Sequence, residues 1–181
     1  MYLDDEWMKV TFLLNICMSY LEHYSLEDIM HLPLPNLTYQ KKLMYRPVYQ
    51  DVLHVYELLN ESVFRNQLEV PEIIIKPYRK RYWGMCVGSW DVHPSGSYCS
   101  IELMDKFYCP QWLVTILAHE MAHQHQWDVE TKIRKKHGKQ GIMSHGPTFF
   151  RFREKLYKHG IPLKTYHSIK KWFVYQDIFK C

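Results

Sequence analysis

The sequence predicts an α+β fold in which helices pack on a small β-sheet. A helix-type apolar pattern is followed by three short β-like runs, and then by a strongly apolar helix, a loop and another helix. The chain of 181 residues is long enough for one ordinary domain with extensions. Its 47% hydrophobic and 23% charged residues, with 7 Gly and 9 Pro, exclude a disordered or low-complexity chain.

The N-terminal part of the chain is predicted to lie outside the main domain. Apolar residues recur at three-to-four spacing over residues 5–24, which predicts a helix. Pro33 and Pro35 follow, and proline cannot propagate a helix. Residues 1–46 are therefore interpreted as an N-terminal helical extension with a Pro-containing linker.

The main domain is predicted to span residues 47–160 and to begin with a helix and a small sheet. Pro47 suits the first turn of a helix, whose apolar stripe continues at three-to-four spacing until Pro71. The turn-forming segment 93–96 predicts a hairpin between the last two β-like runs. The stripe consists of Val52, Tyr56, Leu59 and Val63, and the β-like runs cover residues 73–75, 82–87 and 98–103.

Two helices are predicted to complete the domain. Pro110 opens a strongly apolar helix that continues to about Trp127. A basic loop that contains glycine separates it from a last helix over residues 147–158. Residues 161–181 are interpreted as a basic, aromatic C-terminal extension.

The sequence favours an intracellular protein, in the cytoplasm or associated with the nucleoid, and not a secreted or membrane protein. Residues 4–6 are acidic, where a signal peptide would carry Lys or Arg. The five cysteines include no C-x-x-C pair, which favours a reducing compartment over a disulfide framework. The longest uncharged stretches, 10–21 and 107–118, have 12 residues each, fewer than the roughly 20 of a membrane helix.

A metal-binding motif of the H-E-x-x-H type lies in the apolar helix. His119 and His123 are four residues apart, so both imidazoles lie on one helix face and can reach one metal ion. Glu120 is adjacent, where its carboxylate can take a proton from a metal-bound water. Because the preceding residues 113–118 are apolar, a metal site explains this polarity better than a solvated surface does.

Catalytic zinc usually takes three protein ligands and leaves one position for water. The extended motif with a third histidine six residues after His123 is excluded, because Val129 stands there. His125 is about 200° around the helix from His123 and is interpreted as a surface residue or as one that only supports the ligands. His145, where a loop returns before a Gly-Pro pair, is the favoured third ligand. The alternatives are Asp128, Glu130, Glu154 and His137.

The charge of the chain is divided between its two parts. Residues 1–130 carry a net charge of −7 and residues 131–181 carry +11, and no carboxylate lies within residues 131–153. This distribution predicts an anion-facing surface. Its basic residues are Lys132, Arg134, Lys135, Lys136, Lys139, Arg151 and Arg153.

Three parts of the chain together carry a family resemblance. They are His119-Glu120-Met121-Ala122-His123, then His145-Gly146-Pro147 with Phe149, and upstream Leu59-Asn60-Glu61 with Phe64 and residues 68–71. In this order they resemble the SprT-like zinc metalloprotease family, which includes the Spartan-type proteases. The resemblance covers about residues 50–160 and implies a minimal zincin-like domain with one zinc ion held by His119, His123 and His145. It also implies that Glu120 is catalytic and that the proteins cleaved are often bound or crosslinked to DNA.

The sequence therefore predicts a zinc-dependent metalloendopeptidase that cleaves DNA-bound or DNA-crosslinked proteins in DNA repair. The alternatives are a non-proteolytic nucleic-acid-binding adaptor with a structural zinc, and a hydrolase of another amide. An intact Glu120 favours an enzyme, because a structural site does not need it. The substrate backbone is expected to dock along residues 98–103, just before the zinc helix. The donor to the oxyanion stays open among Tyr98, Tyr108, His125 and His137.

Overall fold

A three-stranded sheet and the helices packed against it form the fold, which confirms the predicted α+β class. The computed structural model describes residues 19–34, 45–77, 82–89, 92–132 and 143–167. Residues 5–18 of the helix predicted over residues 5–24 lie outside the described residues. For residues 19–24 the helix prediction is wrong, because this segment forms bends and a turn.

Helix α1 (Leu26–His31) is short and capped at its start. The Asp28 amide donates to Ser25 Oγ at 3.1 Å, and the Ser25 amide donates to the Asp28 carboxylate at 3.1 Å. This capping box satisfies two backbone donors that the first turn leaves without helical partners. Ile29 is fully buried, and the helix ends before Pro33, as the proline predicts.

Helix α2 (Tyr49–Ser62) carries three members of the predicted apolar stripe, and the fourth, Val63, directly follows it; all four are 0% exposed. At the start of the helix, the buried carboxylate of Asp51 accepts hydrogen bonds from several donors before the helix. These are the hydroxyls of Ser19 and Tyr45 and the amides of Tyr20, Leu21 and Val48. Asp51 therefore ties residues 19–21 to the start of the helix.

The sheet has the strand order β1-β3-β2. Strand β1 (Glu72–Lys76) is parallel to β3 (Cys99–Met104), and β2 (Gly84–Gly88) is antiparallel to it. Strands β2 and β3 form the predicted hairpin, whose connection includes Gly96 at a φ of 88°. Because β3 is paired on both sides, the prediction that substrate docks along residues 98–103 is wrong. In the described part of the chain, β2 is an edge strand beside the helix that carries the H-E-x-x-H motif.

Helix α3 (Pro110–His125) carries the H-E-x-x-H motif and is buried on nearly every side. Of its 16 residues, 14 are buried, as expected for a helix that is apolar all round. The helix packs against β2 and β3 and contacts α1 and α2. At Gln126 it passes into a π-helical segment (Gln126–Glu130), which continues beyond the predicted end at Trp127.

The single helix predicted over residues 147–158 is instead two helices, α4 (Pro147–Phe150) and α5 (Arg153–Lys158). A turn at residues 151–152 separates them. Gly160, at a φ of 71°, follows α5, and the chain then returns to the core at Ile161. The buried apolar residues here are Phe149, Phe152, Leu156, Ile161 and Leu163.

The longest helix in the described ranges is α3. No helix within those ranges is long and apolar enough to span a membrane.

Candidate metal centre

Three histidine side chains converge between α3 and the loop that precedes α4. His119 and His123 project from one face of α3, and His145 comes from the loop. The Nε2 atom of His145 lies 3.2 Å from His123 Nε2 and 3.4 Å from His119 Nε2. All three ligand atoms lie within 4.8 Å of one another. The structure thus brings together the three residues that the resemblance implies as ligands.

These distances fit one tetrahedral zinc ion. Zn–N bonds of about 2.0–2.1 Å at tetrahedral angles place two ligand nitrogens about 3.3 Å apart. The two observed separations, 3.2 and 3.4 Å, lie on either side of this value. A set of three imidazoles also suits zinc better than magnesium or calcium, which prefer oxygen ligands.

Burial favours the neutral form of the three imidazoles. It lowers the pKa of His119 to about 2, and the neighbouring histidines add to this effect. Burial also lowers the pKa of His123 and the pKa of His145. A neutral imidazole keeps a lone pair free, and this is the form that binds a metal.

Phe149 forms an apolar wall against the histidine cluster. Its ring centroid lies 4.6 to 4.9 Å from the centroids of all three histidine rings, and the side chain is fully buried. Pro147 starts α4 directly after Gly146, so the short His-Gly-Pro sequence places both the ligand loop and this wall. The wall restricts the rings and controls access of solvent on that side.

The Glu120 side chain extends from α3 to the edge strand β2. It is 6% exposed, and its Oε2 accepts a hydrogen bond of 2.8 Å from the Cys86 amide of β2. Burial raises the pKa of Glu120 to about 8, although the Cys86 hydrogen bond opposes the rise. Gly84 leaves room for this side chain, since a Cβ there would lie 3.0 Å from Glu120 Cγ.

Two residues at the site escaped sequence reasoning. Gln126 accepts from His123 Nδ1 at 3.0 Å, and its position one turn after His123 could have indicated this contact. The ring of His167 packs edge-on against His119 at 5.2 Å between centroids. Burial lowers the pKa of His167 to about 4, with Lys164 and His145 acting in the same direction. His167 lies 44 positions beyond His123 in a segment without periodicity, so no sequence signal marks it.

His125 is not the surface residue that the sequence suggested. It is 1% exposed, and its ring packs against Phe64 and Phe152. Its Nε2 lies 3.3 Å from Gln67 Oε1. The helical offset of two residues from His123 thus places this side chain in the core, apart from the convergent histidines.

The alternative third ligands are occupied elsewhere or lie outside the described residues. Asp128 accepts from Ser97 Oγ at 2.9 Å and from the Tyr98 amide at 2.7 Å. Glu130 pairs with Arg151. Glu154 is exposed on α5, and His137 lies outside the described residues.

The predicted anion-facing surface is described only at its two ends. Lys132 Nζ lies 4.8 Å from the centre of the Tyr98 ring, and the Arg153 guanidinium lies 4.0 Å from that of Phe150. Arg151 is paired with Glu130, so its charge is partly neutralised. The absence of carboxylates within residues 131–153 gave no sign of this pairing. The other four residues, Arg134, Lys135, Lys136 and Lys139, lie outside the described residues.

The predicted oxyanion donors do not form one group. Tyr98 directly precedes β3, and its ring contacts the Lys132 ammonium group. Tyr108 packs against Trp83 and Trp112. His125 is in the core, and His137 lies outside the described residues. The donor therefore stays open.

A comparison with known families reports a match to the SprT-like family over residues 52–167. The matched region contains the three convergent histidines and Glu120, and it extends to His167. A comparison with curated proteins finds no match.

Proposed function

We propose that this chain, which belongs to the SprT-like family, is a zinc-dependent metalloendopeptidase with a minimal zincin-like catalytic domain. The convergence of three histidine Nε2 atoms, together with the buried carboxylate of Glu120 adjacent to His119 in sequence, carries the proposal. One zinc ion per chain would have three protein ligands and one open position. A structural site would be closed by a fourth ligand and would not need Glu120, so this arrangement favours an enzyme over an adaptor.

Zinc in such a site supplies Lewis acidity, which activates water and polarises a peptide carbonyl. Glu120 acts as the general base and holds the proton taken from water. Its Oε2 is engaged by the Cys86 amide, so Oε1 is the oxygen free to carry this proton. Burial raises the pKa of Glu120, which makes its carboxylate a stronger proton acceptor than an exposed one.

We infer that the substrate backbone adds as a further strand to β2. Strand β2 is an edge in the described sheet, and its Cys86 amide points to Glu120 and not to β3. Met85 and Val87 are 38% and 39% exposed on the other face of this strand. An extended peptide on this edge would bond to main-chain groups of β2 other than the Cys86 amide, which Glu120 already engages.

We infer further that the substrates are proteins bound or crosslinked to DNA. The net charge of +11 over residues 131–181 supports an anionic partner. In the described part of this region, Lys132 and Arg153 are exposed. Lys132 follows the π-helical segment that continues α3, and Arg153 begins α5, the helix after α4. DNA held there would bring an attached protein near Glu120.

An intracellular site of action is part of this proposal. Cys86, Cys99 and Cys109 are free thiols, the state that a reducing compartment maintains.

The Glu120→Gln variant tests the catalytic proposal. It should retain one zinc ion per chain, since Glu120 is not a ligand, and its amide oxygen can still accept from Cys86. Cleavage of casein should fall by about 100-fold to 10,000-fold, because the general base is lost. Metal analysis and circular dichroism serve as controls. Cleavage at the wild-type rate would contradict the mechanism.

A quadruple variant with Lys132, Arg134, Lys135 and Lys136 changed to Ala tests the DNA proposal. Affinity should fall equally for all DNA sequences, and the plot of log affinity against log salt should become less steep by up to about 0.9 for each phosphate that the variant no longer neutralises. Arg46→Ala is the control for loss of a cation outside the basic surface, because Arg46 lies in the acidic part of the chain and faces Asp105. Unchanged affinity and slope in the quadruple variant would contradict the DNA proposal.

A further inference from the structure

Gln126 contacts both elements that carry the convergent histidines. It is 5% exposed and is the first residue of the π-helical segment. Its Oε1 lies 3.0 Å from His123 Nδ1, and its Nε2 donates to the Met143 carbonyl at 3.0 Å and to Thr148 Oγ1 at 2.9 Å. Met143 and Thr148 stand on either side of His145 in sequence. One amide group therefore joins the zinc helix to both ends of the ligand loop.

The three contacts fix which way the amide points. A backbone carbonyl can only accept, so the Gln126 NH₂ group must face Met143. The Gln126 oxygen then faces His123 and can only accept, which requires the proton of His123 on Nδ1. The Nε2 atom of His123 is left with a free lone pair, and this is the atom that lies 3.2 Å from His145 Nε2.

We propose that Gln126 is the positioning residue of this metal site: it sets the tautomer of His123 and holds the loop of His145 against α3. This proposal rests on the proposed zinc site and extends it, because it assigns the coupling between two ligands to one side chain. Ligand histidines are commonly oriented by an acceptor at their other ring nitrogen, and losing that acceptor typically weakens metal binding.

Two substitutions separate a positioning role from simple packing. Gln126→Met keeps the length and helix propensity of the side chain but removes both its acceptor and its donor. Gln126→Glu is the matched variant, since its carboxylate still accepts from His123 Nδ1. Both are folded as full chains, freed of metal, and titrated with zinc against a chromogenic chelator. Cobalt(II) absorption reports the coordination geometry independently of turnover.

We expect Gln126→Met to raise the Kd for zinc about 10-fold to 100-fold and to alter the cobalt spectrum. Gln126→Glu keeps the acceptor for His123 but loses the donor to the Met143 carbonyl, so its Kd should lie between those of Gln126→Met and wild type. Thermal unfolding of the metal-free proteins checks that this difference exceeds any general loss of stability. Wild-type zinc affinity in Gln126→Met, or an equal loss in both variants, would overturn the proposal.

A measurement on the wild-type chain keeps the proposal testable if Gln126→Met does not fold. Long-range ¹H–¹⁵N NMR of the metal-free protein should show His123 protonated on Nδ1, and protonation on Nε2 would overturn the proposal. Neither test depends on peptide cleavage. The zinc affinities of wild type and the two variants could follow the expected order while the chain cleaves no protein. That result would refute the peptidase function and leave this role of Gln126 intact.

Discussion

Replacing Gly84 by Ala should impair catalysis by displacing Glu120. A Cβ at this position of β2 would lie 2.8 Å from Ile116 Cγ2, 3.0 Å from Glu120 Cγ and 3.1 Å from Glu120 Oε1. Ile116 is β-branched and lies in a helix, so its Cγ2 cannot move away by a simple rotamer change. The overlap must be relieved by a shift of the Glu120 side chain or by separation of β2 from α3.

The expected effect on stability is modest, and the effect on catalysis is larger. Overpacking of this kind costs about 1–3 kcal/mol, and the lower entropy of the unfolded Ala variant offsets about 0.4–1 kcal/mol of it. A net loss of about 1–2 kcal/mol should lower Tm by about 2–8 °C in a chain of this size. A misplacement of about 1 Å in a catalytic group can cost about 100-fold in rate.

The assay compares kcat for a protein substrate with thermal unfolding in zinc-loaded wild type, Gly84→Ala and Leu59→Ala. Leu59 is fully buried in α2, and its truncation should cost about 2–5 kcal/mol, whereas the nearest neighbours of a Cβ at Gly84 are Ile116 and Glu120 in α3. We expect Leu59→Ala to lose more stability but to keep its kcat at temperatures well below unfolding. A wild-type kcat in Gly84→Ala, or an equal loss of kcat in both variants, would refute the reasoning.

Two further predictions concern metal retention and stability. His145→Ala removes one of the three convergent nitrogens, so the chain should retain much less than one zinc ion after dialysis. Metal analysis measures this content, and a full zinc ion per chain would show that another residue is the third ligand. Asp51→Ala should destabilise the chain by at least about 3 kcal/mol in urea unfolding, because the amides of Tyr20 and Leu21 lose their acceptor. A loss below about 1 kcal/mol would show that these donors find other acceptors.

The features that sequence could predict are local ones. The pairing of His119 with His123 follows from the helical repeat, and the β2–β3 hairpin follows from a turn signal between two short runs. The third ligand, His145, was harder to predict. The loop that returns before Gly-Pro indicates a possible ligand but does not by itself select His145 over the alternatives. The family resemblance supplied that selection, and the observed distances agree with it.

The features that sequence missed depend on contacts between distant segments. The parallel pairing of β1 with β3 places β3 in the centre of the sheet, and nothing in residues 98–103 indicates this neighbour. The break between α4 and α5 likewise escapes a periodicity argument, since apolar residues continue across it. His167 reaches the site only because the chain turns back after Gly160, so its role depends on tertiary structure alone.

The π-helical segment after the zinc helix makes the length of the chain there as important as its composition. The Thr131 amide bonds back to the Gln126 carbonyl, five residues earlier, so the segment holds one residue more than an ordinary helical turn. Deleting one residue between Gln126 and Asp128 would convert the segment to an ordinary helical turn and move Asp128 to the present position of Trp127. Asp128 would then leave the Ser97 end of the hairpin, although no residue in contact with the metal had changed. Relatives that differ by a single insertion or deletion here should therefore need different hydrogen bonds between the helix and the hairpin.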